Sequence, residues 1–422
     1  MRQLPLADEL PYRFYPPRLN WFCLALANLS VRRMLRKEQR VESIDVAGLE
    51  HIAPLLERGD GVLLAPNHPD HADPHVIFDL SRRLNRPFYY MAAFQIFEGN
   101  KRWFLPRIGV FPVDREGTDL TSFKTGVNVL AEGKNPLVIF PEGEIYRLAE
   151  RLTPLREGAV AVAATAAKRL AGQGKTVWIV PVAIKYRFLD GHDPVPALEG
   201  LMADLERQFT WWPRRHQGLT ERIYHYAEGM LGLKEYEYRG ATGTGPLRER
   251  IGGLANSILS GAETRRLAGK TRGETVPERV KELRRACLDA LADAKTTPDE
   301  ANVLRRDLHD LFVAVQLFSY PGDYVRESPT LERVAETLAK FEEDVLDIDI
   351  SCPRGPRRAI ARVGEPIDVR ARLALAARPR AAVPALTNEL ESRLQALLDT
   401  IGPGRLLEPA EMAKAAPSPA GA

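Results

Sequence analysis

Three observations predict an α/β fold for this chain: a mainly parallel sheet flanked by helices, with a large helical insertion. Short apolar runs alternate with helical stretches up to about residue 190, the pattern that builds a parallel sheet covered by helices. The polar residues His68, Arg115 and Glu142 each lie just past the end of such a run. In open α/β sheets, sites gather outside the carboxyl ends of the strands. The alternation then stops near residue 190 and resumes only near residue 358.

The elements follow in order. Leu19 to Arg40 reads as a helix that Asn20 caps, with Trp21, Phe22, Leu24, Leu26 and Leu29 in an apolar first half. Arg32, Arg33, Arg36, Lys37 and Arg40 follow, opposed only by Glu38. Such a helix suits the surface of an anionic bilayer; it equally suits a helix packed on the core with a solvated basic end. The runs Gly61–Pro66, Pro87–Ala92, Ile108–Val113, Pro136–Phe140 and Val177–Tyr186 are short, apolar and β-branched or aromatic, as buried strands are. Ser122–Glu132 and Glu157–Ala171 are helical stretches between them.

From Asp190 to about Cys352 the clearest features are the charged amphipathic helices Val276–Ala294, Pro298–Phe318 and Leu331–Leu346. The aromatic stretch Phe209-Thr210-Trp211-Trp212-Pro213 precedes Arg214 and Arg215. It reads either as core tryptophan beside solvated charge or as a second membrane contact. The sheet pattern returns at Arg358–Val363, and Thr387–Leu398 closes it as a helix. The expected organisation is an N-terminal segment (1–40), a main unit (41–190 with 355–400), a helical insertion (191–354) and a tail (409–422). The Ala, Pro, Ser and Gly content of the tail predicts disorder.

With 422 residues, 45% hydrophobic and 27% charged, the chain can bury a substantial core in more than one unit. Lys+Arg 59 against Asp+Glu 56 argues against a general nucleic-acid-binding surface. The three dispersed cysteines, Cys23, Cys287 and Cys352, suggest a reducing compartment rather than a disulfide framework. No run reaches the ~18 apolar residues of a spanning helix, and the start, Met1-Arg2-Gln3-Leu4-Pro5, lacks a secretory layout. A cytoplasmic protein with peripheral membrane association is the expectation.

The chemistry concentrates in Asn67-His68-Pro69-Asp70-His71-Ala72-Asp73-Pro74, straight after Val62-Leu63-Leu64-Ala65. A hydroxyl becomes a competent nucleophile at neutral pH when a histidine removes its proton. A carboxylate on the other ring nitrogen fixes the tautomer and stabilises the imidazolium. His68 and Asp73 supply both parts from one turn. Three blocks follow in order: Gly109-Val110-Phe111-Pro112-Val113-Asp114-Arg115, Phe140-Pro141-Glu142-Gly143-Glu144, and Val180-Pro181-Val182-Ala183-Ile184. Together the four blocks resemble the H-x4-D and following motifs of the glycerolipid acyltransferases, the lysophosphatidate and glycerol-3-phosphate acyltransferase family. Gly364-Glu365-Pro366-Ile367 resembles that family's last strand turn, so the resemblance covers roughly residues 41–190 and 355–400.

The resemblance implies acyl transfer from a thioester, acyl-CoA or acyl carrier protein, to a glycerolipid hydroxyl, with 1-acyl-glycerol-3-phosphate as the first acceptor to consider. No cofactor and no metal are expected. His68 is the expected general base and Asp73 its partner. Arg115 is the candidate for the acceptor's phosphate, since guanidinium matches phosphate oxygens in paired hydrogen bonds; a surface ion pair is the plainer reading. Glu142, in a turn with Gly143, either binds acceptor hydroxyls or rigidifies the site. Asn67, Gly109, Pro141 and Pro181 are expected to support the site, Pro181 by shaping its strand.

One departure concerns the third motif, which usually continues F-P-E-G-T-R-S. Here Gly143 runs into Glu144-Ile145-Tyr146-Arg147. A carboxylate at 144 repels a phosphate, so either Arg147 offsets it or the acceptor is not a simple lysophosphatidate. Two other readings are kept: a non-catalytic lipid-binding or scaffold protein on the same fold, and a metallohydrolase using His68, His71, Asp73 and His75, since imidazole and carboxylate ligate zinc.

Overall fold

The computed structural model describes residues 12–115, 119–271, 273–346, 348–375 and 381–407. The expected disordered tail, 409–422, and the start of the N-terminal segment lie outside these residues. The chain divides into two compact units. One is formed by Pro11–Pro194 and Cys352–Gly404. The other contains Val195–Ser351, together with the chain from Arg405.

In the first unit the strands are β1 (Val41–Ala47), β2 (Gly61–Pro66), β3 (Tyr89–Ala93), β4 (Val110–Val113), β5 (Leu137–Val138), β6 (Val177–Phe188), β7 (Arg357–Val363) and β8 (Ile367–Asp368). They form one sheet in the order β1-β7-β6-β2-β5-β3-β4, with β8 also on β6. Only the pairings of β6 with β7 and β8 are antiparallel; the rest are parallel. The helices before residue 190 are α1 (Trp21–Lys37), α2 (Ala53–Glu57), α3 (Asp73–Arg83), α4 (Lys101–Arg107), α5 (Leu120–Glu132) and α6 (Gly158–Arg169).

β2 shows why the sheet is buried on both faces. Leu63 and Ala65 pack with Val127 and Leu130 of α5 and Val160 and Ala163 of α6. Val62 and Leu64 point the other way, toward Val76, Ile77 and Leu80 of α3. Successive strand residues face opposite sides, so a strand covered on both faces must be apolar throughout. All six residues of β2 are buried. Here the strand expected from the sequence and the observed one coincide.

The second unit is helical: α7 (Val195–Gln208), α8 (Leu219–Arg239), α9 (Leu247–Leu267), α10 (Val276–Ala292), α11 (Pro298–Phe318), α12 (Tyr324–Glu327) and α13 (Leu331–Val345). Thr275 and Thr297 start α10 and α11 with full capping boxes, in which side chain and backbone donors are satisfied reciprocally. The aromatic stretch divides: Trp211 packs edge-on to Tyr226 at 5.6 Å, while Trp212 is 89% exposed. In the first unit, α14 (Val369–Leu375) and α15 (Ala382–Ile401) follow β8.

Asn67 caps the end of β2 from a fully buried position. Its side chain donates to the Ile184 carbonyl at 3.0 Å and accepts from the Ile184 amide at 2.7 Å. Both backbone groups on β6 are thereby satisfied, and the turn that follows β2 is anchored to the neighbouring strand. Pro181 sits where β6 passes from β8, paired at Trp178 and Ile179, to β7, paired from Val182. A missing N–H is tolerated at such a break in the ladder, and the Pro181 carbonyl still accepts from Gly364 at 2.9 Å. Gly109 opens β4 at φ +91, where a Cβ would meet the Phe88 carbonyl at 2.6 Å.

The candidate membrane helix is present as α1, and the Asn20 side chain accepts from the Cys23 amide. Only Cys23, Ala27 and Leu35 of α1 are buried. Trp21 is 78% exposed and Leu29 73%, with Phe22 and Leu26 also in the open. Among the described residues no helix is long and apolar enough to cross a membrane.

Candidate active site

β2 ends at Pro66 and α3 begins at Asp73, so the motif histidine and aspartate bracket one turn. Within that turn the Asp73 amide donates to the Asp70 carbonyl at 3.1 Å, and the Ala72 amide donates to Asp70 Oδ1 at 2.9 Å. His68 Nδ1 is 2.8 Å from Asp73 Oδ2. With Nδ1 donating to the carboxylate, Nε2 is the nitrogen left to accept a proton. The imidazole stacks on Phe140 with ring centroids 4.1 Å apart and is mostly buried, while the Asp73 side chain is fully so. Burial pushes the Asp73 carboxyl above its ordinary value, and the hydrogen bonds from His68 and Tyr186 oppose that rise.

The third motif folds back onto the first. Glu142 Oε1 accepts from the His68 backbone amide at 2.7 Å. Its Oε2 accepts from the Thr153 hydroxyl at 2.6 Å and amide at 3.2 Å. Glu142 is buried, and desolvation raises its pKa against these three bonds. Both of its oxygens therefore face the protein's own donors. Pro141 accepts from the Arg156 amide through its carbonyl at 2.8 Å. Gly143 has φ +80, and a Cβ there would lie 2.6 Å from Arg156 Nε; only glycine suits that left-handed, crowded position.

Arg115 reaches the same turn. Its Nη1 donates to the Gly143 carbonyl and pairs with Glu144 at 2.7 Å. Both side chains are partly exposed, at 27% and 36%. Arg147, the residue expected to offset Glu144, turns elsewhere: it donates to Asp70 Oδ2 at 2.7 Å. Arg147 holds a left-handed backbone, φ +58, a conformation that costs a non-glycine residue roughly 1–2 kcal/mol.

The structure thus brings His68, Asp73, Glu142, Gly143 and Arg115 to one end of the sheet. Asn67 and Pro141 lie beside them, and Gly109 and Pro181 shape the strands behind. It adds residues that sequence reasoning did not assign: Phe140 under the imidazole, Thr153 on Glu142, Tyr186 on Asp73, and Arg357 on Asp70. Phe140 was within reach as a neighbour of the third motif. The other three come from positions with no spacing signal. Among the described residues no three His, Cys, Asp or Glu side chains gather as metal ligands would.

The family model described as Acyltransferase matches residues 43–185. The chain is also similar to a 1-acyl-sn-glycerol-3-phosphate acyltransferase of Bacillus subtilis (strain 168), at 41% identity over 78 residues. That match takes in 18% of this chain and 36% of the relative, so the chain spans about a third of the length of the curated relative it matches. The stretch matched by the family model carries the His68–Asp73 turn and the blocks after it, and over that stretch the chain is similar to the glycerolipid acyltransferases.

Proposed function

We propose that this protein transfers a fatty acyl group from a thioester donor to a hydroxyl of a glycerolipid acceptor, with His68 as general base. The observation that carries this reading is the 2.8 Å contact of His68 Nδ1 with Asp73 Oδ2, at the carboxyl end of a central strand. His68 Nε2 takes the acceptor hydroxyl's proton as the oxygen attacks the thioester carbonyl. The carbon–sulfur bond then breaks, and the departing thiolate takes the proton from the imidazolium. The thioester is already activated, so no covalent acyl-enzyme is needed. Asp73 orients His68 and stabilises its charged form, and Glu142 holds the His68 backbone in register from the opposite side.

The acceptor reading starts from Arg115. We assign it the acceptor's phosphate, with 1-acyl-glycerol-3-phosphate the first candidate and Glu144 its partner in the free protein. The donor is acyl-CoA or acyl carrier protein. We further assign α1 to the membrane surface. A contiguous exposed apolar patch marks an interaction site, and Arg32, Arg33, Arg36 and Lys37 on the same helix are exposed, which fits an anionic lipid surface. The lipid-scaffold alternative shares this surface and differs in predicting no turnover.

Three experiments test these assignments. His68→Ala is expected to lower turnover by about 10²–10⁴, the usual worth of general-base help, with donor binding and thermal unfolding little changed. Asp73→Asn should lose less, with its loss in kcat. Near wild-type turnover of His68→Ala, measured as ester product from the purified protein with vesicles, would remove His68 from the chemistry. For Arg115, the acceptor's KM should rise in the order wild type, Arg115→Lys, Arg115→Ala, because lysine keeps the charge and loses the paired geometry. The series should be nearly flat with an unphosphorylated acceptor; a steep loss there would make Arg115 structural. Finally, glutamine at Arg32, Arg33, Arg36 and Lys37 should weaken binding to anionic vesicles by about 1 kcal/mol per cation and leave neutral vesicles unaffected. Binding that ignores both salt and the substitutions would return α1 to the role of a core-packed helix.

A further inference from the structure

Behind the histidine–aspartate pair lies a buried polar cluster that the chemistry above does not use. Tyr186, on β6, donates from its hydroxyl to Asp73 Oδ1 at 2.6 Å. The Arg357 guanidinium, from β7, stands 4.5 Å over the Tyr186 ring and donates to Asp70 Oδ2 at 2.9 Å. Arg147 donates to the same oxygen at 2.7 Å. Asp70 returns the connection, its amide donating to Asp73 Oδ2 at 2.8 Å. The four side chains are buried. They join the β2–α3 turn, the loop after β5, and strands β6 and β7 into one ring around Asp73.

Stability alone does not account for such a ring. Apolar residues of similar volume often replace a buried ion cluster without loss, and Arg147 adopts a left-handed backbone beside it. Strained residues of this kind concentrate where function fixes geometry. We propose that Tyr186, with the Asp70–Arg147–Arg357 cluster behind it, forms a set of positioning residues that locks Asp73 in the orientation that serves His68. Tyr186 occupies one carboxylate oxygen, leaving the other for the imidazole, and the two arginines neutralise the second carboxylate that the turn brings next to it. The inference rests on the reading of His68 as general base.

The electrostatics set the signs of the test. Burial pushes Asp73 up, the hydrogen bonds of His68 and Tyr186 bring it down, and the charge of Asp70 pushes it up again. Asp70 is itself buried, yet Arg357 and Arg147 hold it well below the ordinary carboxylate range. The groups facing Asp73 are His68 and Asp70 from its own turn and Tyr186 from β6. Arg357 and Arg147 act through Asp70, and Glu142 faces His68 from the third motif. His75, on the first turn of α3, also feels Asp70, and burial pushes its pKa down.

Removing the Tyr186 hydroxyl takes a donor from the Asp73 carboxylate, so its ionised form is lost at higher pH. Removing the charge of Asp70 does the reverse. Tyr186→Phe is therefore expected to move the acid limb of kcat/KM to higher pH and to lower kcat about tenfold, the scale of one hydrogen bond to a charged group. The KM values should stay within about twofold, because the loss falls on the transition state. Arg357→Gln should move the limb the same way, and Asp70→Asn should move it to lower pH. Thermal unfolding of each variant accompanies the profiles; should Asp70→Asn or Arg357→Gln fail to fold, the near-isosteric Tyr186→Phe decides. An acid limb and kcat in Tyr186→Phe equal to wild type would overturn the inference. So would losses in every variant that track stability with no movement of the limb. A dead His68→Ala enzyme beside an unaltered Tyr186→Phe profile would sink this inference alone, whereas an active His68→Ala enzyme would sink the general-base reading itself.

Discussion

The 2.8 Å hydrogen bond between His68 Nδ1 and Asp73 Oδ2 joins the residue just past a central strand to the first residue of a helix. It lies where burial works against the carboxylate's charge, so each acceptor site on Asp73 has to be met by a donor. His68, the Asp70 amide and the Tyr186 hydroxyl meet them. The wider architecture follows from that requirement. Asn67 ties the start of the turn to Ile184 two residues before Tyr186, and Glu142 ties the His68 amide to Thr153. The central sheet supplies rigid ends from which these groups converge, which is how side chains distant in sequence share one site.

The parts legible in the sequence are those governed by local rules. β2 and α11 fall on the expected residues because continuous apolar runs and a Thr-Pro-Asp-Glu start are strong local signals. β5 is shorter than Pro136–Phe140: only Leu137 and Val138 pair with β2 and β3. β1 gives no clear strand pattern because Val41–Ala47 is an edge strand, half exposed and carrying Glu42, Ser43 and Asp45. Helices α7 to α9 likewise lie outside the segments that the sequence marks clearly as helical. The long α9 carries Gly252, Gly253 and Gly261, which blur its helical pattern. Tyr186 and Arg357 were illegible as site residues, since their roles arise from the antiparallel register of β6 and β7 across the insertion.

The acceptor end of the site is less constrained than the proton-handling end. Around Asp73 the partners are buried and mutually saturated. Around Arg115 and Glu144 the ion pair is partly exposed, and such pairs stabilise by only ~1 kcal/mol or less. Under the proposed function, a phosphate competes with Glu144 for Arg115 at little cost to the fold. Glu144, where the third motif departs from the resembled pattern, falls in this partly exposed region; under the proposed function, acceptor choice varies there while the histidine–aspartate pair stays fixed.

Direct transfer without a covalent acyl-enzyme is the centre of this account. The measurement that tests it is rapid-quench release of thiol from an acyl thioester, with and without a lysophospholipid acceptor, followed by intact mass of the quenched protein. The account predicts that thiol release requires the acceptor, matches ester formation mole for mole, and leaves the protein's mass unchanged. A burst of thiol in the absence of acceptor, with the protein heavier by one acyl group, would contradict it.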